Sequence, residues 1–380
     1  LQAPGKKILF LQFQPVAGYP PLMNLMRCCS ARAETHVINL HVSQHALLLP
    51  PDLQRLVLKS RPGGSGRLSR FLARIVYAAT ALSTVCTGSY HVIVVTDANA
   101  AWLGWLVRSV FSGNLVYIEY DTTAAGSWRR ALMQAARNRL ARVADMVLVP
   151  NRTRLKALVQ ESGRTGPTAR LANYPTLLEV VTGALPELSG DGKDLRLYYH
   201  GTLVSERLPE ALFAAIAARK NVSLTIRGLR TIPENGYFDK LTALIRSYQI
   251  ESQVRLLAPL PADELRDEAA SHHAGIAFFS SSSPDVNLRT MWGASNKVYQ
   301  YMAYGLLVLF SSAEEEMVSN MEGLGLRCDM ADPDSITAAF DYICRHPDDI
   351  RTMRERSRRM IADEWNFEAE FRTAFAPLLP

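Results

Sequence analysis

The chain has 380 residues, 42 Lys+Arg against 36 Asp+Glu, a formal net charge of +6 and 48 % hydrophobic residues. These values lie near the average for globular proteins and exclude a disordered, collagen-like or low-complexity chain, while the length suits two domains that each bury a core. Five cysteines are too few and too sparse for a disulfide framework and read as reduced thiols of a cytosolic protein, and the longest uncharged apolar run, Ile75 to Val85, has 11 residues where a membrane helix needs ~20.

The first elements alternate. A buried strand is expected at 8–13, a Gly18-containing loop over 15–21, a helix over 22–32 and a strand over 35–40. Residues 50–66 read as a loop, most flexible at Arg61-Pro-Gly-Gly-Ser-Gly66. A helix over 68–84 follows, then strand 91–96, helix 100–110, strand 115–120, helix 127–144 and strand 146–150. The pattern specifies an α/β, doubly wound parallel sheet with helices on both faces.

Thr182 to Asp194 is the best linker in the chain, and the alternation restarts after it. Strands are expected at 195–200, 223–227, 254–257, 274–279 and 307–311, with helices at 209–218, 237–248, 262–271, 297–304 and 335–345. The expected organisation is a first Rossmann-like domain over 1–181, a linker over 182–194, a second Rossmann-like domain over 195–362, and a C-terminal helix over 363–380 that packs back on the first domain. Two such sheets facing each other make a central cleft.

The charge is uneven. Residues 1–190 hold 21 basic and 9 acidic residues, a balance of +12, and residues 191–380 hold 21 and 27, a balance of −6. A basic half implies an anionic partner. Nucleic acid is the poorer candidate, because aromatics do not interleave with the basic residues. Arg67, Arg70 and Arg74 recur at helical spacing among Leu68, Phe71, Leu72, Ile75 and Val76. That mixture suits an anionic bilayer surface, or else an ordinary core helix with a solvated Arg face.

Parallel sheets place ligands beyond the carboxyl ends of their strands, where free N–H groups at helix starts favour anions. Two stretches of the second half fit. In the first, a strand ends at His200-Gly201-Thr202 and Arg207 follows six residues after the glycine. This is a phosphate site or a tight turn with a solvated Arg. In the second, Ser295-Asn296-Lys297-Val298 starts a short helix. Asn296 reads as its N-cap, and Lys297 opposes the helix dipole unless an anion binds there. Asp332 and Asp334 read as helix-capping residues rather than metal ligands, and His272-His273 as core histidines.

Asn296-Lys297-x-x-Gln300-Tyr301-Met302-Ala303-x-Gly305-x-x-Val308 resembles the donor-binding motif of GT-B glycosyltransferases, above all the family-four type. Gly201 to Arg207 is similar to that family's first motif, Asn287 fits a related subgroup, and Arg139 to Asn151, Ala172 to Pro175 and Trp365 to Phe367 resemble its other segments. The resemblance implies a retaining, metal-independent transfer from a nucleotide-sugar, without a further cofactor, to a glycan or polyprenyl-linked acceptor. The sparse cysteines and the basic, apolar helix from Arg67 suit a cytoplasmic enzyme with peripheral contact on the inner face of the membrane. Donor contacts would fall to Gly201, Thr202, Arg207, Asn287, Asn296, Lys297, Val298 and Gln300. The sequence departs from the motif in four places: Gln300 replaces the ribose-binding carboxylate, Trp292 stands near the place of the paired Glu, the usual Pro after Gly305 is missing, and Thr202 stands where many members have Arg.

In the first half, Asp121 follows a strand and fits a base, a sugar-hydroxyl acceptor or a helix cap. Glu119 shares its face by period two and is a second catalytic candidate or an ion-pair partner of a nearby Arg. Asp97 also follows a strand. Gly18 fits a phosphate or acceptor approach, or a plain turn. The alternatives to a transferase are a GT-B sugar-nucleotide epimerase and an inactive GT-B-like scaffold.

Overall fold

The computed structural model describes residues 6–14, 16–41, 49–62, 67–122, 128–188, 194–229, 236–283 and 285–379. Residues 63–66 of the expected flexible stretch and 189–193 of the expected linker lie outside that set. The chain divides into two compact units, Leu1–Asn173 with Phe367–Pro380, and Tyr174–Asn366.

The first unit is a seven-stranded sheet in the order β3-β2-β1-β4-β5-β6-β7. The strands are β1 (Lys7–Gln12), β2 (Glu34–His41), β3 (Val57–Pro62), β4 (Val92–Thr96), β5 (Asn114–Ile118), β6 (Met146–Val149) and β7 (Thr168–Arg170). Every pairing is parallel. Val57–Pro62 corrects the expected loop over 50–66. The strand, Val-Leu-Lys-Ser-Arg-Pro, forms a sheet edge, where one row of N–H and C=O groups has no strand neighbour and charged residues and Pro are commonly found.

Period-two alternation sends β1 residues to opposite faces. Ile8 and Phe10 join a core with Leu22, Leu25 and Met26 of α1 (Pro20–Ser30), and Phe367, Phe371 and Phe375 complete it. Leu9 and Leu11 join the other core, under α3 (Arg67–Thr87), α4 (Asp97–Arg108), α5 (Trp128–Val143) and α6 (Arg152–Ser162). Glu370 ties the terminal segment to the sheet by accepting from Arg170 Nη2 at 2.5 Å and from the Ala172 N–H at 3.1 Å.

The second unit is a six-stranded parallel sheet, β10-β9-β8-β11-β12-β13. Its strands are β8 (Leu195–Thr202), β9 (Val222–Leu229), β10 (Val254–Leu257), β11 (Ala274–Phe278), β12 (Leu307–Ser311) and β13 (Gly325–Arg327). Helices α7 (Glu210–Ala217), α11 (Asn296–Ala303), α13 (Pro333–Arg345) and α14 (Pro347–Asp363) matter most for the site. Residues 181–186 lie on this unit: Arg358 of α14 donates to the carbonyls of Val181 and Gly183, and Arg354 to those of Pro186 and Gly305.

Both sheets reverse their strand order once, between β1 and β4 in the first and between β8 and β11 in the second. Such reversals splay the two flanking loops apart and leave a crevice at the carboxyl ends. Among the described residues no helix is long and apolar enough to cross a membrane.

Candidate functional site

In the second unit the crevice is built on a cation that the fold leaves uncompensated. Gly201 near the end of β8 has φ +120°, in the region that favours glycine. A Cβ there would stand 3.2 Å from Lys297 Nζ, so the glycine admits the lysine head. Lys297, in the first turn of α11, is buried, with Nζ 4.9 Å from the centroid of the Tyr199 ring. No carboxylate of the described residues pairs with it. Burial, and then the Arg207 charge, hold its pKa well below the ordinary value. Arg207 lies in the turn before α7, its N–H donating to the Val204 carbonyl, and its Nε is buried with no hydrogen-bond partner among the described residues. Two cations that repel each other in low dielectric, with no anion between them, form a site that an anion would complete.

Beside the cations runs a hydrogen-bonded chain. The His200 Nε2–H donates to Gln300 Oε1 at 3.0 Å, and Gln300 Nε2 donates to Glu179 Oε2 at 3.1 Å. The Glu179 carboxylate can only accept, so it orients the amide, and the amide in turn selects the histidine tautomer. Burial first, then the Lys297 charge, push the His200 pKa down to about 3 against the Gln300 hydrogen bond, so the ring is neutral. Glu179 is a residue that sequence reasoning missed. Thr176-Leu-Leu-Glu179 is legible as a capping box, and the box is formed, but nothing local joins it to Gln300 121 positions away.

The remaining expectations divide. Ser295, not Asn296, caps α11 by accepting from the Val298 N–H, because the helix begins one residue earlier than a cap at Asn296 requires. Val298 is core. Thr202 closes β8 and its carbonyl accepts from the Tyr199 hydroxyl. Asn287 sits in a separate turn, α10 (Val286–Arg289), where its N–H and Nδ2 donate to Asp285 at 2.9 and 3.0 Å. A cavity of about 730 Å³ opens at the carboxyl ends of β8, β11, β12 and β13, walled by Ser205, Glu206, Ser280, Ser311, Arg327 and Ser335 among others. It shares the 201–209 loop with the cation site, although Lys297 and Gln300 are not in its walls.

In the first unit, Glu119 is the buried partner of an arginine. Arg137 Nε and Nη2 donate to its two oxygens at 2.6 Å each, and the hydroxyls of Tyr117 and Thr122 donate at 2.8 and 3.1 Å. With both oxygens occupied it holds α5 on β5 and has no capacity left for a substrate. Asp121 is exposed, 3.8 Å from Arg154 Nη1. Its backbone N–H donates to Asp97 Oδ1 at 3.2 Å, and the Tyr120 N–H donates to the same oxygen at 2.8 Å. Gly18 is exposed in the loop after β1, with nothing within 4 Å of the place a Cβ would occupy. Arg74 of α3 lies over the Phe13 ring at 5.2 Å. Arg67 and Arg70 begin α3, their side chains being outside the described set. Leu68, Phe71, Leu72 and Ile75 of α3, and Trp128 and Leu132 of α5, are exposed.

Asp332 caps α13 by accepting from the Asp334 N–H, and among the described residues no group of three His, Cys, Asp or Glu is placed to hold a metal ion. His272 and His273 are satisfied core histidines: His272 bonds Thr225 and the Glu268 carbonyl, and His273 bonds the Arg196 N–H and the Glu187 carbonyl.

No protein-family model and no curated protein matches the chain. Solved structures do. HepE of Anabaena in complex with UDP-glucose superposes with a TM-score of 0.75 at 15 % identity over 98 % of this chain and 99 % of that one. Sucrose-phosphate synthase of Thermosynechococcus elongatus gives 0.69 at 15 %, over 98 % and 100 %. The lipopolysaccharide outer core galactosyltransferase WaaB gives 0.63 at 16 %, over 98 % and 100 %. The likeness spans nearly the whole chain and is one of fold: two parallel α/β units of the GT-B glycosyltransferase fold.

Proposed function

We propose that the protein is a glycosyltransferase that takes its sugar from a nucleoside diphosphate donor, with a UDP-sugar as first choice because HepE is similar in fold and was solved with UDP-glucose. The observation that carries the reading is the buried, uncompensated Lys297 beside Arg207, packed against a glycine that makes room for it.

In this reading the diphosphate lies on Lys297, Arg207 and the Gly201 backbone. As the bond from the anomeric carbon to the phosphate oxygen breaks, its electron pair stays on that oxygen, and the two cations stabilise the growing charge without a metal. The acceptor hydroxyl attacks the same face of the anomeric carbon and passes its proton to the departing phosphate, so configuration is retained. Gln300 and the Glu179 carboxylate behind it receive the ribose hydroxyls. Glu179 thus supplies, one residue removed, the negative charge that Gln300 lacks. The first unit holds a glycan or lipid-linked acceptor. The exposed Leu68, Phe71, Leu72 and Ile75, with the arginines of α3, suit peripheral contact with an anionic bilayer from the cytoplasmic side.

Calorimetric titration of UDP, GDP, ADP and dTDP, alone and as their glucose conjugates, into the full chain and into Lys297→Ala tests this. Binding that depends on Lys297 is expected. If no nucleotide binds, or if the Lys297→Ala variant binds as well as the parent, the reading fails. Chromatography of the sugar product then separates transfer from isomerisation of the donor.

A further inference from the structure

A buried lysine that no carboxylate answers needs another device to keep its charge, and β8 supplies one in Tyr199. The residue is fully buried and belongs to the core of the second unit with Leu195, Leu197 and Leu203. Period-two alternation puts Tyr199 and Gly201 on one face of the strand. The glycine leaves room for the lysine head, and the aromatic ring lies against it, its centroid 4.9 Å from Lys297 Nζ. An ammonium within about 6 Å of an aromatic face is drawn to the ring quadrupole, and the attraction grows where water is excluded.

The other end of the side chain is also used. The Tyr199 hydroxyl donates to the Thr202 carbonyl, which ties the ring to the loop that carries Arg207. Burial raises the pKa of that phenol, and the Arg207 charge opposes the rise, leaving it at about 12. One side chain therefore faces both cations, Lys297 with its ring and Arg207 with its hydroxyl.

The remaining titratable groups around Lys297 do not hold its charge. Arg207 repels it. His200 of β8 is neutral, with a pKa of about 3. Tyr301, one turn along α11, accepts from the His200 N–H with its hydroxyl. Glu179 stands beyond Gln300 and is bonded to it, and the Glu206 carboxylate accepts from the Ser205 hydroxyl. The choice of an aromatic partner has a chemical consequence. A carboxylate beside Lys297 would take up its N–H donors and repel a phosphate. A ring face attracts the ammonium, carries no net charge and leaves the donors for the ligand.

We propose that Tyr199 is a positioning residue of the donor site: its ring face holds the Lys297 side chain in place as an ammonium, ready for a phosphate, and its hydroxyl fixes that ring to the loop bearing Arg207. Only the word donor rests on the transferase reading; the hold on Lys297 stands on the contact itself.

NMR titration of the full chain, labelled with 13C at the lysine Cε and with the Lys297 signal assigned through Lys297→Arg, tests it. Between roughly pH 5 and 10, Lys297 is the group of this set that titrates, since His200 lies below that window and the two phenols above it. Tyr199→Phe keeps the ring face and is expected to leave the Lys297 pKa within about 0.3 of the parent. Trifluorinated phenylalanine at position 199 keeps the shape and drains the negative face of the ring. It is expected to lower the Lys297 pKa by about one, a tenfold loss of the charged form at a given pH, with the thermal midpoint close to that of Tyr199→Phe. Tyr199→Leu should lower the pKa at least as far. A merely structural role would not separate the fluorinated ring from the plain one. If both rings leave the same Lys297 pKa, the proposal is overturned.

UDP titration of the same samples between pH 7 and 10 reports the donor. Affinity is expected to fall as pH rises through the Lys297 pKa, and to fall earlier with the fluorinated ring, in step with the NMR shift. If UDP binds and its pH dependence ignores that shift, the service to the donor is overturned. If the Lys297 pKa moves as expected but UDP binds none of the proteins, the hold of Tyr199 on Lys297 is upheld and the transferase reading alone is removed.

Discussion

The two crevices are built alike and finished in opposite ways. Each lies where a parallel sheet reverses its strand order. In the second unit the unsatisfied groups are cations, Lys297 and Arg207, and the nearby polar side chains, His200, Gln300 and Glu179, are already bonded to one another. In the first unit the cations near the crevice are partnered: Arg137 is paired with Glu119 and Glu161, Arg154 donates to the Tyr120 carbonyl and lies 3.8 Å from Asp121, and burial pushes the Asp97 carboxyl towards its neutral form. One fold, used twice, thus carries unpaired buried cations at one strand-order reversal and partnered ones at the other. Which it is depends on how the local charges are cancelled, not on the backbone.

Four substitutions probe that contrast. The largest effect is expected from Glu119→Gln, which leaves the buried Arg137 guanidinium with only the half-exposed Glu161 carboxylate, 2.6 Å from its Nη1, as counter-charge. Stability should fall by about 3–5 kcal/mol, read from the urea midpoint. An unchanged midpoint with lost activity would return Glu119 to the catalytic role and undo the distinction between the units. Next, Lys297→Ala should weaken UDP by roughly 2–3 kcal/mol, the scale of a charge-assisted hydrogen bond. Because burial and the Arg207 charge disfavour the charged lysine in the fold, the same variant should melt no lower than the parent in scanning calorimetry.

The third prediction concerns pH. The folded pKa of Asp97, about 8, lies above its ordinary value of 3.8. Between those values the folded protein keeps a proton that the unfolded chain has lost, so stability from this group falls as pH rises through the window. Asp97→Asn should therefore stabilise the protein by roughly 1–3 kcal/mol near pH 8, with the gain vanishing towards pH 4. A pH-independent difference in urea midpoint would mean that the carboxyl is ionised in the fold, and the first crevice would no longer be neutral. The smallest effect belongs to Gln300→Ala, which cuts Glu179 from His200. UDP affinity should drop by about 0.5–1.5 kcal/mol, and no change would take the ribose out of reach of Gln300.

Much of the donor side was legible. A strand ending in glycine, an arginine six residues on and a lysine in the first turn of a helix are all local patterns, and the structure brings Gly201 and Lys297 together. The N-cap was misplaced by one residue because Ser295 and Asn296 are both good caps, and only the path of the chain chooses between them. On the acceptor side the reading favoured Glu119 and Asp121 because they follow a strand. Asp97 follows one too, and nothing in Thr-Asp-Ala-Asn announces a positive φ. The edge strand Val57–Pro62 was hidden for a related reason: an edge is defined by its neighbour, and its own residues are half polar.

The sequence by itself determined two parallel doubly wound sheets, since strand and helix follow from hydrophobic period and turn residues over a few positions. It determined as well that two cations stand just beyond strand ends in the second half. Only the tertiary structure decided which polar groups go unanswered. Glu119 is matched by Arg137 eighteen residues away, Gln300 by Glu179 on a distant turn, and Asp97 by the N–H groups of Tyr120 and Asp121, while the side-chain oxygens of Gln12 and Asn39 meet no hydrogen-bond partner among the described residues. Whether a buried polar group has a partner depends on everything packed around it, so it cannot be read until the strands lie side by side.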